Sequence, residues 1–126
     1  MRTQTVLLVD DSTAFLAAAS KFLADFCNVA VVGTAQSGEE GVRLAEAIRP
    51  DIALVDFNLP GIGGLEVVSR LKALRYPPIV IMVSFNSENE YRKASLLRGC
   101  DAFVSKTDFT DEIGPVLEKF SAVGDL

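Results

Sequence analysis

The chain has no histidine, only two cysteines and no long apolar run. Without histidine, and with Cys27 and Cys100 far apart and outside any CxxC spacing, its residues do not form a zinc-binding pattern. No stretch approaches the roughly 20 consecutive apolar residues that a membrane span needs. The first residues, MRTQTVLLVDD, lack the apolar core and cleavage pattern of a secretory signal. We therefore expect a cytoplasmic protein whose cysteines are reduced and lie in or near the core.

Basic residues are also in the minority, with 12 Lys and Arg against 17 Asp and Glu and a net charge of -5. Binding to nucleic-acid phosphates requires a basic face, so we expect no direct nucleic-acid binding by this chain. The composition, 49% hydrophobic and 23% charged, is typical of a globular protein. A length of 126 residues suits one domain that spans residues 1–126.

Five short apolar segments alternate with segments of helical character. The predicted strands are TVLLV (5–9), VAVVGTA (29–35), DIALVD (51–56), PIVIMVS (78–84) and DAFVS (101–105). Alternation of this kind, with continuously apolar strands, predicts an α/β fold in which helices cover both faces of an open, doubly wound, five-stranded parallel sheet. In such folds ligands bind at the carboxyl ends of the strands.

The predicted helices cover residues 12–26, 37–48, 65–74, 87–97 and 108–123. Helical spacing of apolar residues defines the buried face of the first (Phe15, Leu16, Ala19, Phe22, Leu23, Phe26) and of the second (Val42, Leu44, Ala45, Ile48). Ser37 with Glu40, and Ser87 with Glu90, have the spacing of a capping box at a helix start. Gly99 is a natural helix stop.

Polar residues end several of these strands. They are Asp10 and Asp11 after the first strand, Asp56 in the third, Ser84 in the fourth, and Ser105 and Lys106 in the fifth. Three carboxylates and one ammonium at a shared edge leave about two excess negative charges, which a divalent cation would balance. Oxygen ligands without His or Cys suit Mg²⁺. Asp56, before the turn NLPGIGG, is best placed to attack phosphorus and become an aspartyl phosphate.

Each of these residues also has a purely structural interpretation. Asp10 or Asp11 could cap the helix that begins near Ser12, and Asp56 could start the turn that follows it. Lys106 could be a solvated lysine at the rim of the sheet. The functional interpretation is favoured because the residues coincide at successive strand ends.

The stretches VLLVDDS, DIALVDFNLPGIGGLE, IVIMVS and GCDAFVSK resemble the receiver domain of bacterial two-component response regulators. The resemblance covers essentially the whole chain and implies the flavodoxin-like strand order 2-1-3-4-5. It implies that Asp56 is the phosphoacceptor and that Asp10 and Asp11 form, with Asp56, the acidic pocket for Mg²⁺ (or Mn²⁺). The main-chain carbonyl of Asn58 would complete the metal shell.

The same resemblance implies a switching mechanism. Lys106 would pair with the phosphoryl group, Ser84 would be the hydroxyl that moves towards it, and Phe103 the aromatic ring that turns inward. The implied function is signalling: a sensor histidine kinase or phosphotransfer protein donates the phosphoryl group, and the face formed by helix four, strand five and helix five responds. The implied domain is not an enzyme beyond its own phosphorylation and dephosphorylation. A phosphorylation-dependent homodimer is left open.

Three residues depart from the family pattern. Phe85 stands where a small side chain is usual, and its ring is expected either to overhang the site and slow loading by small phosphodonors or to be an ordinary strand-end residue. Thr107 follows Lys106 where many members have proline, and the resulting SKT is similar to receivers joined to helix-turn-helix DNA-binding domains. Gly63 replaces an acidic residue at the start of the third helix and is expected to weaken that start.

Two other functions are considered. The alternative is a pseudo-receiver, an interaction domain that is not phosphorylated because Phe85 occludes an intact acidic site. A phosphohydrolase with an aspartate nucleophile is disfavoured, because Phe57 and Asn58 follow Asp56 and leave no carboxylate two residues on to serve as general acid.

Overall fold

Five strands and five helices alternate along the chain, as the sequence predicts. The computed structural model describes residues 2–86 and 88–124, with side chains as far as residue 121. The elements are β1 (Gln4–Val9), α1 (Thr13–Leu23), β2 (Val29–Ala35), α2 (Gly38–Ile48), β3 (Ile52–Asp56), α3 (Gly63–Lys72), β4 (Ile79–Ser84), α4 (Asn89–Leu97), β5 (Ala102–Ser105) and α5 (Phe109–Gly124). None of the helices in these described ranges is long and apolar enough to cross a bilayer.

The strands form one parallel sheet in the order β2-β1-β3-β4-β5, so the predicted fold class and strand order are confirmed. The register pairs Val9 with Val55 between β1 and β3, and it pairs Ser84 with Ser105 between β4 and β5. The carboxyl ends of β1, β3, β4 and β5 therefore meet at one edge of the sheet. We call this edge, with the residues that end those strands, the acidic rim.

The core lies on both faces of the sheet, which explains why the strands are apolar throughout. In β1, Val6 and Leu8 face a cluster that includes the apolar sides of α1 and α5, while Leu7 and Val9 face a second cluster with residues of α2 and α3. All four side chains are buried. Burying one such side chain stabilises a fold by about 1.5–3 kcal/mol relative to leaving it exposed.

Local signals in the sequence account for most of the helix ends. The Ser37 hydroxyl accepts a hydrogen bond from the Glu40 backbone N–H at 3.2 Å, as expected for a cap. Gly99 follows α4 with a φ of 103°, a left-handed conformation that glycine adopts readily. The second predicted capping box depends on Ser87, which lies outside the described residues, and α4 begins after Glu88 without a side-chain cap.

Three sequence expectations are wrong in detail. Ile48 is 39% exposed, because α2 approaches the sheet through the small residues Gly38, Gly41 and Ala45, while Ile48 lies beside Gly33 on the edge strand β2. Helix α1 ends at Leu23, three residues before Phe26. This early end places Cys27 in an exposed turn, whereas Cys100 is buried as expected, and its burial raises the pKa of the thiol to about 11.

Candidate functional site at the carboxyl edge of the sheet

The acidic rim holds a buried ion-pair cluster. Asp10 and Asp56 are both buried, and the Lys106 ammonium lies 2.7 Å from Asp10 Oδ2 and 3.5 Å from Asp56 Oδ1. The Lys106 side chain is only 5% exposed, so its interpretation as a solvated rim lysine is wrong. A buried charge is tolerated when it is paired, and here each carboxylate contacts the same ammonium.

Short backbone turns fix the two buried carboxylates. Asp10 continues β1, since its N–H donates to the carbonyl of Ala35 at 2.9 Å, and Asp10 Oδ1 accepts from the Ser12 N–H at 2.9 Å. Asp56 Oδ1 accepts from the Asn58 N–H at 3.3 Å. The cap of α1 is Ser12, whose hydroxyl accepts from a backbone N–H of the helix, so neither aspartate is the cap. Each carboxylate is thereby oriented at the end of its strand.

The exposed carboxylate of Asp11 completes a group of three. One oxygen from each of Asp10, Asp11 and Asp56 lies within 4.8 Å of the others. Burial, followed by the charge of Asp10, raises the pKa of Asp56, while Lys106 and the Asn58 N–H partly offset this and Asp11 adds to it. Asp56 is thus an acid whose charged form is disfavoured unless more positive charge is supplied.

The donor set fits a hard divalent cation. Asp10 Oδ2 is buried and accepts no hydrogen bond of ordinary geometry from the residues the structure describes, although the Lys106 ammonium is in ion-pair range. A divalent cation bound here, in addition to the Lys106 ammonium, would coordinate Asp10 Oδ2 and offset the excess carboxylate charge. Carboxylate oxygens without nitrogen or sulfur ligands are the set that Mg²⁺ and Mn²⁺ prefer.

Two phenylalanine rings enclose the Lys106 ammonium. The Nζ atom lies 4.5 Å from the ring centre of Phe15 and 5.1 Å from that of Phe85, distances at which a cation is attracted to an aromatic face. Phe85 is 71% exposed, so its ring contacts the ammonium from the solvent side. From the sequence, Phe15 was expected only as a core residue; its position three residues after the cap of α1 was the available signal.

The residues expected to act as switches lie at or beside the rim. Ser84 is fully buried, and its Oγ accepts a hydrogen bond from the Asn86 N–H at 3.0 Å. The carbonyl of Ser84 accepts from the Lys106 N–H at 2.8 Å, which ties β4 to the lysine. Phe103 is partly buried against the core, and the Arg92 guanidinium lies 4.8 Å from its ring centre.

Two glycines shape the loop that follows Asp56. A Cβ at Gly64 would lie 2.5 Å from the carbonyl oxygen of Asp56 and 2.7 Å from that of Phe57, so α3 approaches the site through a residue without a side chain. Gly63 has a φ of 73° and α3 has no side-chain cap, in keeping with the expected weak start. The adjacent pair Gly63 and Gly64 is the sequence signal for this close approach.

A family model described as the response regulator receiver domain matches residues 6–115. The chain belongs to this family. It is 30% identical over 118 residues to the nitrate/nitrite response regulator protein NarL of Escherichia coli strain K12, covering 94% of this chain and 55% of that protein. It is 28% identical over 119 residues to the transcriptional regulatory protein MctR of Rhizobium johnstonii, covering 94% of this chain and 56% of that protein.

A solved structure agrees with the sequence relatives. The response regulator domain of Thermotoga maritima CheB superposes with a TM-score of 0.85 at 26% identity, covering 99% of this chain and 98% of that one. The chain spans about half the length of the two curated relatives. The family assignment makes this a signalling domain of two-component systems, a class whose partners are histidine kinases or phosphotransfer proteins and whose aspartate cluster generally binds Mg²⁺.

Proposed function

We propose that Asp56 accepts a phosphoryl group from a phosphohistidine of a sensor histidine kinase or phosphotransfer protein. The observation that carries this proposal is the buried cluster in which Lys106 lies 3.5 Å from Asp56 and 2.7 Å from Asp10. In this cluster Asp56 is the carboxylate that ends the central strand β3. A carboxylate placed beside an ammonium can act as a nucleophile whose product, a phosphoryl dianion, is stabilised by the same ammonium.

The chemical step is a transfer between two side chains. An Asp56 oxygen forms a bond to phosphorus while the P–N bond to the donor histidine breaks, and the released imidazole nitrogen takes a proton. Lys106 balances charge on the phosphoryl oxygens as they arrive. Asp10, Asp11, Asp56 and the Asn58 carbonyl are the residues proposed to hold Mg²⁺ (or Mn²⁺), which would supply further charge neutralisation at the phosphoryl group.

The proposed output is a change in the surface made by α4, β5 and α5. A phosphoryl group on Asp56 adds hydrogen-bond acceptors at the end of β3, and the Ser84 hydroxyl proton is available to donate to one of them. Phe103 is partly buried against the core, and its ring is proposed to turn further inward in the phosphorylated form. These two side chains are proposed to bias the domain between two arrangements, and a homodimer of the phosphorylated form is one proposed consequence.

The second candidate function is a pseudo-receiver, and one observation favours it. The exposed ring of Phe85 lies 5.1 Å from the Lys106 ammonium, and in this candidate function the ring would block access to Asp56. In this case the domain would bind a partner without being phosphorylated. The two candidates differ in whether the protein gains a phosphoryl group and in what Phe85→Ala does.

We propose that this receiver controls a transcriptional output. We also propose that it acts in the cytoplasm. The transcriptional output is supported by similarity to NarL and to the transcriptional regulatory protein MctR, and by the SKT sequence at residues 105–107. The domain itself, with a net charge of -5, is proposed to make no direct contact with nucleic acid.

Intact-protein mass after incubation with Mg²⁺ and acetyl phosphate tests the proposal. We expect a labile gain of one phosphoryl group in the wild type and none in Asp56→Asn. A gain in Phe85→Ala alone would indicate a shielded site that needs its own kinase. No gain in any variant, including after incubation with phosphorylated histidine kinases, would support the pseudo-receiver.

A further inference from the structure

A second cleft lies at the end of the sheet opposite the acidic rim. It has a volume of about 490 Å³ and lies between the start of β1, the end of α2 and the segment that leads into β4. Its lining includes Gln4, Arg49, Pro50, Arg75, Tyr76 and Phe120. We call this the basic cleft. Sites for small ligands have volumes of roughly 300–1,000 Å³, so the cleft is of suitable size.

Two arginines of the basic cleft have an aromatic ring in place of a carboxylate partner. The guanidinium carbons of Arg49 and Arg75 lie 4.1 Å and 5.5 Å from the ring centre of Tyr76. Neither arginine forms an ion pair in the described part of the chain, and this includes Glu46, which lines an adjoining recess. Planar guanidinium groups bind phosphate through paired hydrogen bonds, so the two arginines can receive an anion.

The third arginine at the cleft is already neutralised. Arg2 forms an ion pair with Asp51, and the same carboxylate accepts hydrogen bonds from the backbone and hydroxyl of Thr5. Asp51 is thus fully engaged and is directed at β1 and Arg2. The local excess of positive charge therefore rests on Arg49 and Arg75, although the chain as a whole is acidic.

Gln4 supplies a buried polar atom without a partner. The residue is only 8% exposed, and its Oε1 accepts no hydrogen bond from any residue the structure describes. Its backbone N–H donates to the Asn28 carbonyl at 2.8 Å, so the residue is held firmly at the first position of β1. Buried polar atoms are nearly always paired in folded proteins. Because Gln4 lines the cleft, a rotation of its amide would let a ligand N–H or O–H satisfy this one.

Arg49 has a left-handed backbone conformation, which is rare for a residue other than glycine. Arg49 has a φ of 49° and is the single non-glycine residue with a positive φ in the described ranges. Glycine is the usual residue at this position after a helix, because a side chain is strained there. The chain places an arginine there, directly before Pro50, and this arginine contacts Tyr76 across the cleft.

We propose that the basic cleft binds a mononucleotide. The phosphate would contact Arg49 and Arg75, the planar base would pack against the partly exposed side chains of Ile79 and Phe120, and a base N–H would donate to Gln4 Oε1. Inorganic phosphate can use only the arginines, whereas a nucleoside can use only the amide and the apolar surface. A ligand that carries both parts is therefore the one that the cleft fits.

This site is independent of the proposed phosphoacceptor. The two are joined by β1, which begins at Gln4 and ends at Val9, and six residues of strand span about 20 Å. A nucleotide in the basic cleft would not contact Asp56. Failure of nucleotide binding would leave the proposed function intact, and failure of phosphorylation would leave the cleft proposal intact.

Titration of the ¹⁵N-labelled protein followed by amide NMR tests the proposal. The probes are adenosine monophosphate and guanosine monophosphate, with adenosine and inorganic phosphate as separate comparisons. We expect saturable shifts of the Arg49, Tyr76 and Ile79 amides with a Kd below about 1 mM for at least one nucleotide. Adenosine and phosphate should each bind at least about tenfold more weakly, because each lacks half of the contacts.

Matched variants locate the ligand. Arg75→Gln, at an exposed position, and Gln4→Leu, which keeps the buried volume, should each weaken binding by about tenfold or more. Arg43→Gln, the same charge change on the exposed side of α2, and Asp56→Asn should leave the Kd unchanged. The proposal is overturned by unsaturable shifts with both nucleotides, by phosphate binding as tightly as a nucleotide, or by equal weakening in Arg43→Gln or Asp56→Asn.

Discussion

Asp56 lies in an environment that disfavours the ionised form of its carboxyl group. Burial and the neighbouring Asp10 raise its pKa above 3.8, and the Lys106 ammonium only partly offsets them. A carboxyl group whose folded-state pKa is raised binds its proton more tightly in the folded protein than in the unfolded chain. Ionised Asp56 therefore reduces the free energy of unfolding as pH rises above the value for an ordinary Asp. This destabilisation follows from burying the proposed nucleophile beside Asp10 and the Lys106 ammonium.

We predict that Asp56→Asn stabilises the fold at neutral pH. In Mg²⁺-free buffer its Tm should exceed that of the wild type by several degrees at about pH 7, the shift expected for roughly 1 kcal/mol. The gain should shrink as pH falls through the raised folded-state pKa and disappear well below 3.8, where Asp56 is protonated in both states. Thermal unfolding followed by circular dichroism across this range measures it. Asp108→Asn, at an exposed residue, is the matched control, and an Asp56→Asn gain that is absent or independent of pH would contradict the electrostatic account.

Phe85 contacts the ammonium that pairs with Asp56, since its ring centre lies 5.1 Å from Lys106 Nζ. An exposed cation–π contact is worth about 0.5–1 kcal/mol, which corresponds to roughly twofold to fivefold in a rate. We predict that Phe85→Ala accelerates phosphorylation by acetyl phosphate by about that factor, as measured by the time course of the intact mass. Tyr76→Ala, which removes a half-exposed ring at the other end of the sheet, should leave the rate unchanged. An unaltered rate in Phe85→Ala would show that the ring does not obstruct the site.

The contact between α3 and the loop after β3 depends on one small residue. Gly64 brings the first turn of α3 against the carbonyl oxygens of Asp56 and Phe57, and its N–H donates to the Phe57 carbonyl at 3.1 Å. Because both neighbours are backbone atoms, a side chain at Gly64 could be accommodated only by moving the loop. The helix and the proposed nucleophile are therefore coupled through this contact.

We predict that Gly64→Ala destabilises the fold by about 1–3 kcal/mol, the usual cost of forcing extra volume into a packed contact. The displaced loop should also slow phosphorylation of Asp56. Gly63→Asn is the matched control, since nothing lies within 4 Å of its added Cβ and asparagine tolerates a positive φ. Urea unfolding and the rate of mass gain provide the two readouts. Equal effects of the two substitutions would show that the close approach at Gly64 is unimportant.

The elements themselves were largely predictable from the sequence. Each strand begins and ends within one residue of its predicted position, because a parallel strand buried on both faces is a continuous apolar run. Helix ends were harder. Phe26 fits the apolar period of α1 but lies in the turn after the helix, from which it packs against the core. Helix α3 begins at Gly63, and this start is set by the backbone turn and not by a pattern of side chains.

The two ends of the sheet carry opposite charge. Carboxylates gather at the acidic rim because they directly follow strands, and this sequence signal was sufficient to predict Asp10, Asp11, Asp56 and Lys106 at one place. The basic cleft was not predictable, since Gln4 and Arg75 lie far apart in the sequence and follow no shared pattern. Only the fold brings them together. The roles of these residues, at either end, remain predictions.

Cation binding at the acidic rim should stabilise the whole molecule. A ligand present at ten times its Kd raises the free energy of unfolding by about 1.4 kcal/mol if it binds only the folded state. We predict that Mg²⁺ raises the Tm of the wild type by a few degrees, and that Asp11→Asn removes most of this shift. Asp111→Asn, at an exposed residue of α5, should retain it. A shift that persists in Asp11→Asn would place the cation elsewhere.

Chemical identification of the phosphorylated residue would show whether Asp56 is the phosphoacceptor. Borohydride reduces an aspartyl phosphate to homoserine, which peptide mass spectrometry locates in the sequence. After incubation with Mg²⁺ and a phosphodonor, the account predicts homoserine at position 56 alone, and none when the donor is omitted. Homoserine at position 10 or 11, or a phosphorylated protein with unmodified Asp56, would contradict it.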